Sequence, residues 1–229
     1  MDFTKLRVAL DGPSGAGKST IAKAVAAKTG LIYVDTGALY RTVGLYASEN
    51  GIATDDTAGI IALLDTIDIK LTYRDGAQCV LLHGTPVGDR IRTETAAVYA
   101  SAVSKIPEVR AYLLDMQKKL AADGGVIMDG RDIGTVIMPD AEVKIFMTAT
   151  AEERAKRRYR EQIERGMNVQ FDDILAAIIA RDKQDSERDT APLKPAADAI
   201  LFDNSEYDVD ACTSYIVARM TDYIEKTGV

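Results

Sequence analysis

Five short apolar runs punctuate the chain: Leu6–Leu10, Leu31–Val34, Val126–Met128, Val143–Met147 and Ala199–Phe202. Most lack strict alternation, which predicts strands buried on both faces of a parallel sheet. After the first run, Thr20–Lys28 is rich in helix formers and keeps Ile21, Ala22, Val25 and Ala26 on one face. Helical segments separate the other runs too, so the chain reads as βαβ units with right-handed crossovers. Several runs end in an acid, namely Asp11, Asp35, Asp129 and Asp203. Ligands of open α/β sheets gather at the carboxyl ends of strands, so these ends point toward a site. Acids there can also be plain helix caps, and Asp203 reads as a loop residue.

Between Val34 and Val126 the pattern changes. Ile67–Tyr73 alternates apolar and polar positions, Arg74–Gln78 is turn material, and Cys79–His83 reads as a returning strand. Helical stretches follow at about Thr95–Ser104 and Pro107–Ala122, the second opening with proline in its first turn. An antiparallel hairpin is thus inserted into a parallel frame, forming a small subdomain. The lone histidine, His83, sits on that hairpin beside Gly84 and reads as a structural or surface residue.

Composition narrows the class. The 229 residues are 47% hydrophobic and 28% charged, as in globular proteins. No run of eighteen apolar residues exists, and Met1-Asp-Phe-Thr-Lys5 lacks the design of a signal peptide. Cys79 and Cys212 are too few for a disulfide framework or a zinc site, so a cytoplasmic location is expected. The net charge of −7 argues against a nucleic-acid partner. Arginine is nevertheless concentrated at Arg154, Arg157, Arg158 and Arg160. Either these bind a small anion, or they share a solvated helix face with Glu152, Glu153, Glu161 and Glu164.

The strongest motif is Gly12-Pro-Ser-Gly-Ala-Gly-Lys-Ser19, which fits G-x-x-x-x-G-K-[ST] between a strand and a helix. Its glycines let backbone N–H groups converge on phosphate oxygens, and the helix N-terminus adds partial positive charge. Lys18 is placed to reach the outer phosphates and the Ser19 hydroxyl to sit on Mg²⁺. This chemistry is that of nucleoside triphosphate binding. Asp35-Thr-Gly-Ala-Leu-Tyr-Arg41 opens a helix on which Thr36 and Tyr40 are neighbours, with Arg41 adjacent. Val126-Ile-Met-Asp129 has the form of a strand ending in a carboxylate that supports Mg²⁺ directly or through water. In the loop beyond, Arg131 and Asp132 could pair with each other or read opposite features of a polar ligand. Arg181, Asp185 and Arg188 fall on one helical face, an arrangement that is often only a surface ion-pair ladder.

Together these segments resemble the bacterial cytidylate kinase family of P-loop nucleoside monophosphate kinases over essentially the whole chain. The resemblance rests on Asp11–Lys18, Asp35–Arg41, Asp129–Thr135, Arg154–Arg158 and the Arg181/Asp185/Arg188 triplet with Ala191-Pro-Leu193. It implies one α/β P-loop kinase domain over 1–229, with a five-stranded parallel sheet flanked by helices at about 1–35, 124–150 and 190–229. The inserted monophosphate-binding subdomain with its hairpin would span about 36–123. An arginine-rich lid and substrate-contacting helices would span about 151–189.

By the same resemblance, ATP is held by Gly12, Pro13, Ser14, Gly15, Ala16, Gly17, Lys18, Ser19 and Thr20, with Mg²⁺ at Ser19 and Asp129. Arg41 and Arg131 hold the phosphate of CMP or dCMP, and Thr36 and Tyr40 line its pocket; Thr36 stands where serine is usual. Ser101, Arg110 and Asp132 match the positions that face cytosine, and Arg181 and Asp185 those near the sugar hydroxyls. Arg157, Arg158 and Arg188 belong to the closing lid and the transferring phosphoryl group, and Lys18 and Arg131 join them in catalysis. Competing readings are a kinase for another acceptor, such as UMP or AMP, and a non-catalytic ATP-binding switch. Nucleotides are the expected partners, with no membrane and no nucleic acid. Monomer is the default state.

Overall fold

The computed structural model describes residues 1–74 and 77–228. Asp75 and Gly76, in the expected hairpin turn, lie outside the described residues. The chain divides into two compact units, one of Met1–Ile32 with the chain from Asp123 onward, the other Tyr33–Ala122.

The first unit grows from β1 (Arg7–Asp11), in which Val8, Ala9 and Leu10 are fully buried. It pairs in parallel with β6 (Val126–Gly130) and with β7 (Val143–Thr148), and β7 pairs in parallel with β8 (Ile200–Asp203). With β2 (Ile32–Asp35) these strands make a five-stranded parallel sheet in the order β2-β6-β1-β7-β8. Strand β1 is central, and the order reverses between β1 and β7, the switch point where such sheets bind ligands. Each strand observed begins and ends within two residues of its apolar run. Burial on both faces makes the run itself the signal. Asp203 is a correction: it closes β8 rather than lying in a loop, although its carboxylate does accept from the Ser205 backbone N–H at 2.9 Å.

Helix α1 (Lys18–Thr29) starts directly after Gly17 and stops at Gly30, whose left-handed backbone lets its N–H reach the Ala26 carbonyl. Helices α6 (Ala151–Glu164) and α7 (Phe171–Glu187) pack through Ala155, Ile174 and Ile178, with Tyr159 edge-on to Phe171. Helix α8 (Val209–Thr227) is capped by Asp208 and packs on α1. A single π turn, Ile133–Ile137, follows β6 and was not legible in the sequence.

The second unit contains the expected antiparallel pair, β3 (Ile69–Arg74) against β4 (Ala77–Leu82). A short third strand, β5 (Thr85–Pro86), is added because His83 and Gly84 both take positive φ, 48° and 75°. Two consecutive left-handed residues are what a tight two-residue hairpin loop needs. His83 therefore turns the chain, and its ring rests 5.1 Å from that of Tyr46. Helix α2 (Thr36–Glu49) packs on α4 (Glu94–Val103) so closely that a Cβ on Gly44 would lie 2.7 Å from the Tyr99 Cβ. A short helix, α3 (Thr57–Leu63), was not expected, while α5 (Pro107–Ala121) was. Leu39, Val43, Ile60, Val103, Val109 and Leu113 form the centre of this unit's own core. No helix among the described residues is long and apolar enough to cross a membrane.

Candidate active site

The phosphate loop leaves β1 at Gly12, whose φ is 148°. A Cβ there would sit 1.9 Å from the Met147 carbonyl oxygen on β7, so no side chain is possible at this point. Gly15 and Gly17 take φ of 77° and 85°, a conformation that glycine alone adopts readily. Pro13 and Ala16 are buried, and Ser14 is half-buried. Ser19 and Thr20 lie in the first turn of α1 and are exposed.

Lys18 is buried, and its Nζ donates to the Pro13 carbonyl at 2.8 Å. Burial holds its ammonium well below the usual lysine range, and the nearby Arg131 charge pushes the same way. An anionic phosphate would offset both. The Ser19 hydroxyl donates to Asp129 Oδ2 at 2.6 Å, joining the loop to the end of β6. Among the described residues no three His, Cys, Asp or Glu side chains cluster as a metal cage. A hydroxyl beside a buried carboxylate fits Mg²⁺ instead, which takes few protein oxygens and fills its shell with phosphate and water.

Beside Lys18, the carboxylate of Asp11 accepts from the Ile133 and Gly134 backbone N–H groups at 2.8 and 2.7 Å. Burial pushes its acid up to about 6, despite those two bonds. This ties the start of the phosphate loop to the turn that carries Arg131 and Asp132. These two do not simply pair with each other. Arg131 Nε donates to Asp185 Oδ2 at 3.0 Å, and Arg188 Nη2 lies 3.5 Å from Asp132 Oδ1. Arg181 Nε is 4.0 Å from the same Asp185 oxygen. Asp185 and Arg188 thus pair with Arg131 and Asp132 rather than forming a surface ladder, the side chains of Asp132, Asp185 and Arg188 being at most 6% exposed, whereas that of Arg181 is 30% exposed. One correction applies. Arg188 is not on the helical face of Arg181 and Asp185, because α7 ends at Glu187 and Arg188 has extended backbone, with Nε donating to the Ala191 carbonyl at 2.7 Å.

On α6, Arg157 donates to the carbonyls of Asn204 and Ser205 at 2.8 and 3.4 Å, and Arg158 is half-buried. Neither is joined to the Arg131 network by a bond of its own among those observed. Arg154 is buried, with bonds to Ala149, Ser14 and Asp182. Neither Asp182 nor Asn204 was singled out in the sequence; Asp11 stood out only as an acid closing a strand and Arg154 only as one of a local concentration of arginines. Their partners lie far along the chain, so no spacing rule reveals them.

In the second unit, Asp35 caps α2 by accepting from the Ala38 N–H at 2.9 Å and pairs with Arg41 at 2.7 Å. The Gln78 amide bonds both the N–H and the carbonyl of Asp35, at 2.6 and 3.1 Å. Thr36 is buried in the first turn of α2. The Arg110 guanidinium lies 5.6 Å from the centre of the Tyr40 ring and donates to the Ser104 carbonyl at 3.3 Å. Ser101, on α4, offers its carbonyl to the Ser104 hydroxyl at 3.0 Å.

A central parallel strand leading into a glycine-cradled lysine, with a carboxylate at the end of the neighbouring strand, is the phosphate-binding arrangement of P-loop proteins. The fold agrees: the chain is similar to a gluconokinase structure from Sinorhizobium meliloti, with a TM-score of 0.50 at 12% identity over 97% of this chain and 95% of that one. The sequence profile described as cytidylate kinase matches residues 8–226. Cytidylate kinases of Caldicellulosiruptor bescii and Exiguobacterium sibiricum are 49% and 47% identical to it. The first alignment covers 90% of this chain and 91% of the relative, the second 96% and 97%. The chain belongs to the cytidylate kinase family.

Proposed function

We propose that this protein transfers the γ-phosphoryl group of Mg·ATP to CMP or dCMP, releasing ADP and the corresponding diphosphate. The observation that carries this reading is the Ser19–Asp129 bond, which joins the first turn of α1 to the end of β6 and puts a magnesium-type oxygen pair beside Lys18. Family membership supplies the acceptor. An oxygen of the CMP phosphate attacks the γ-phosphorus, and the bond to the β–γ bridging oxygen breaks. The attacking phosphate oxygen of CMP is largely deprotonated at neutral pH, since a phosphate monoester loses its second proton near a pKa of about 6. No general base is required, in keeping with a site built from arginines, lysine and carboxylates.

In this reading the loop Gly12–Thr20 holds the ATP phosphates, and Ser19 and Asp129 hold Mg²⁺. When bound, Mg²⁺ neutralises part of the phosphate charge. Arg41 and Arg131 take the acceptor phosphate, Thr36 and Tyr40 line its pocket, and Arg181 and Asp185 serve the sugar. Ser101, Arg110 and Asp132 read cytosine, whose amino group suits a carboxylate and whose ring acceptors suit a guanidinium or hydroxyl. Arg157, Arg158 and Arg188 stabilise the charge that develops on the transferring group. ADP release from Mg·ATP, measured with CMP, dCMP, UMP, AMP, GMP or no acceptor, tests the proposal. Rapid release with CMP and dCMP alone is expected. Activity with another acceptor overturns the assignment of Ser101, Arg110 and Asp132, and slow release indifferent to acceptor marks a switch.

A further inference from the structure

The phosphate loop presents N–H groups to its ligand only if its carbonyls turn away. In a planar trans peptide the C=O of one residue and the N–H of the next point in opposite directions. Fixing a carbonyl on one side therefore aims the following N–H to the other. Two loop carbonyls are held by side chains from beyond the loop. That of Ala16 accepts from the Asn204 side-chain amide at 2.9 Å. That of Ser14 accepts from Arg154 Nη1 at 3.0 Å.

The Nε of Arg154 donates to the Ala149 carbonyl at 2.9 Å, and its fork grips the Asp182 carboxylate on α7, Nη1 to Oδ1 at 3.0 Å. The side chain is only 5% exposed in this ion pair. Its stem also packs on the loop: a Cβ at Gly15 would lie 3.3 Å from Arg154 Cβ. A buried guanidinium so placed is costly unless every contact is made, and lysine cannot reproduce the fork.

We infer that Arg154 is a positioning residue that turns the Ser14 carbonyl outward, so that the Gly15 N–H faces the ATP phosphates, and that Asp182 locks Arg154 in that pose. Three residues on from Asp182, Asp185 holds Arg131 at 3.0 Å, so α7 braces the donor loop with one carboxylate and an acceptor-side arginine with the other. The inference rests on the phosphate loop holding ATP, as proposed above, but not on the identity of the acceptor.

The test is the affinity for Mg·ATP by calorimetry, together with KM for ATP and for CMP, in Asp182→Asn, Asp182→Ala and Arg154→Lys. Asp182→Ala and Arg154→Lys are expected to weaken ATP binding and raise its KM roughly tenfold, leaving KM for CMP within about twofold. Asp182→Asn, which keeps one acceptor, should fall between them and the parent. Combining Arg154→Lys with Asp182→Ala should add little to either alone, because both break one unit. Lower melting temperatures with both KM values and the ATP affinity unchanged would mean a purely structural pair and overturn the inference. If the parent protein binds ATP but does not phosphorylate CMP, the acceptor reading fails. The affinity series still decides the role of Arg154.

Discussion

The phosphate loop and the loop after β6 leave adjacent strands at the same end of the sheet, yet they are held by different means. In the first, three glycines at φ of 148°, 77° and 85° set the path, and backbone N–H groups are the working surface. In the second, Arg131 and Asp132 are ordinary residues whose direction comes from partners on and beyond α7, Asp185 being 54 residues away from Arg131. A backbone site needs small residues at fixed spacing. A side-chain site needs buried countercharges, which can come from anywhere in the chain. Burying charge is expensive, so each member of such a network depends on the others.

The largest expected effects test whether both loops serve one reaction. Lys18→Ala and Arg131→Ala should each lower kcat by about 10²–10⁴ in steady-state assays, the loss typical of a group that stabilises developing charge. Normal turnover in either variant removes that residue from the mechanism. Next in size is Gly12→Ala, which forces a methyl onto the Met147 carbonyl. It should cost about 3 kcal/mol or more in chemical denaturation, with loss of ATP binding. A stable variant that binds ATP normally would show that the loop tolerates a side chain where none fits.

A third prediction concerns the bond between the two loops. Asp11 titrates at about 6 in the folded protein, above its ordinary 3.8, so the folded state holds the proton more tightly than the unfolded chain. Stability should therefore fall as pH rises from about 4 to about 6, by on the order of 3 kcal/mol from this group. Asp11→Asn should flatten that slope, whatever its effect at a single pH. Parallel melting-temperature profiles for parent and variant would exclude Asp11 as the source. The smallest effect is expected at Thr36→Ser, which removes one buried methyl. It should cost about 1 kcal/mol in stability and change KM for CMP by less than about threefold. A larger change in KM would mean that the methyl, not only the hydroxyl, shapes the acceptor pocket.

The five parallel strands were legible because strands covered on both faces are continuous apolar runs, and Leu6–Leu10 through Ala199–Phe202 all appear in the sheet. Less visible were α3, β5 and the π turn at Ile133–Ile137. Each depends on local backbone closure rather than on periodicity, as with the positive φ of His83. The phosphate loop was readable for the opposite reason: glycines at set intervals between a strand and a helix suit little besides a cradle of backbone N–H groups. Arg181 and Asp185 could be placed on one face, but the same pattern could not tell a solvated ladder from a buried network. Nor could it show that the helix ends one residue before Arg188.

What the sequence determined by itself is whatever is encoded within a few residues: strand identity, the phosphate loop, the cap at Asp35, the proline that opens α5. Tertiary structure alone decided that Ser19 meets Asp129, that Asp11 holds the turn after Asp132, and that Arg154 reaches from α6 to both Ser14 and Asp182. The physical reason is the reach of each interaction. Backbone conformation is a local preference, whereas a buried charge is stabilised by whichever partner the fold brings within about 3 Å, at any separation along the chain.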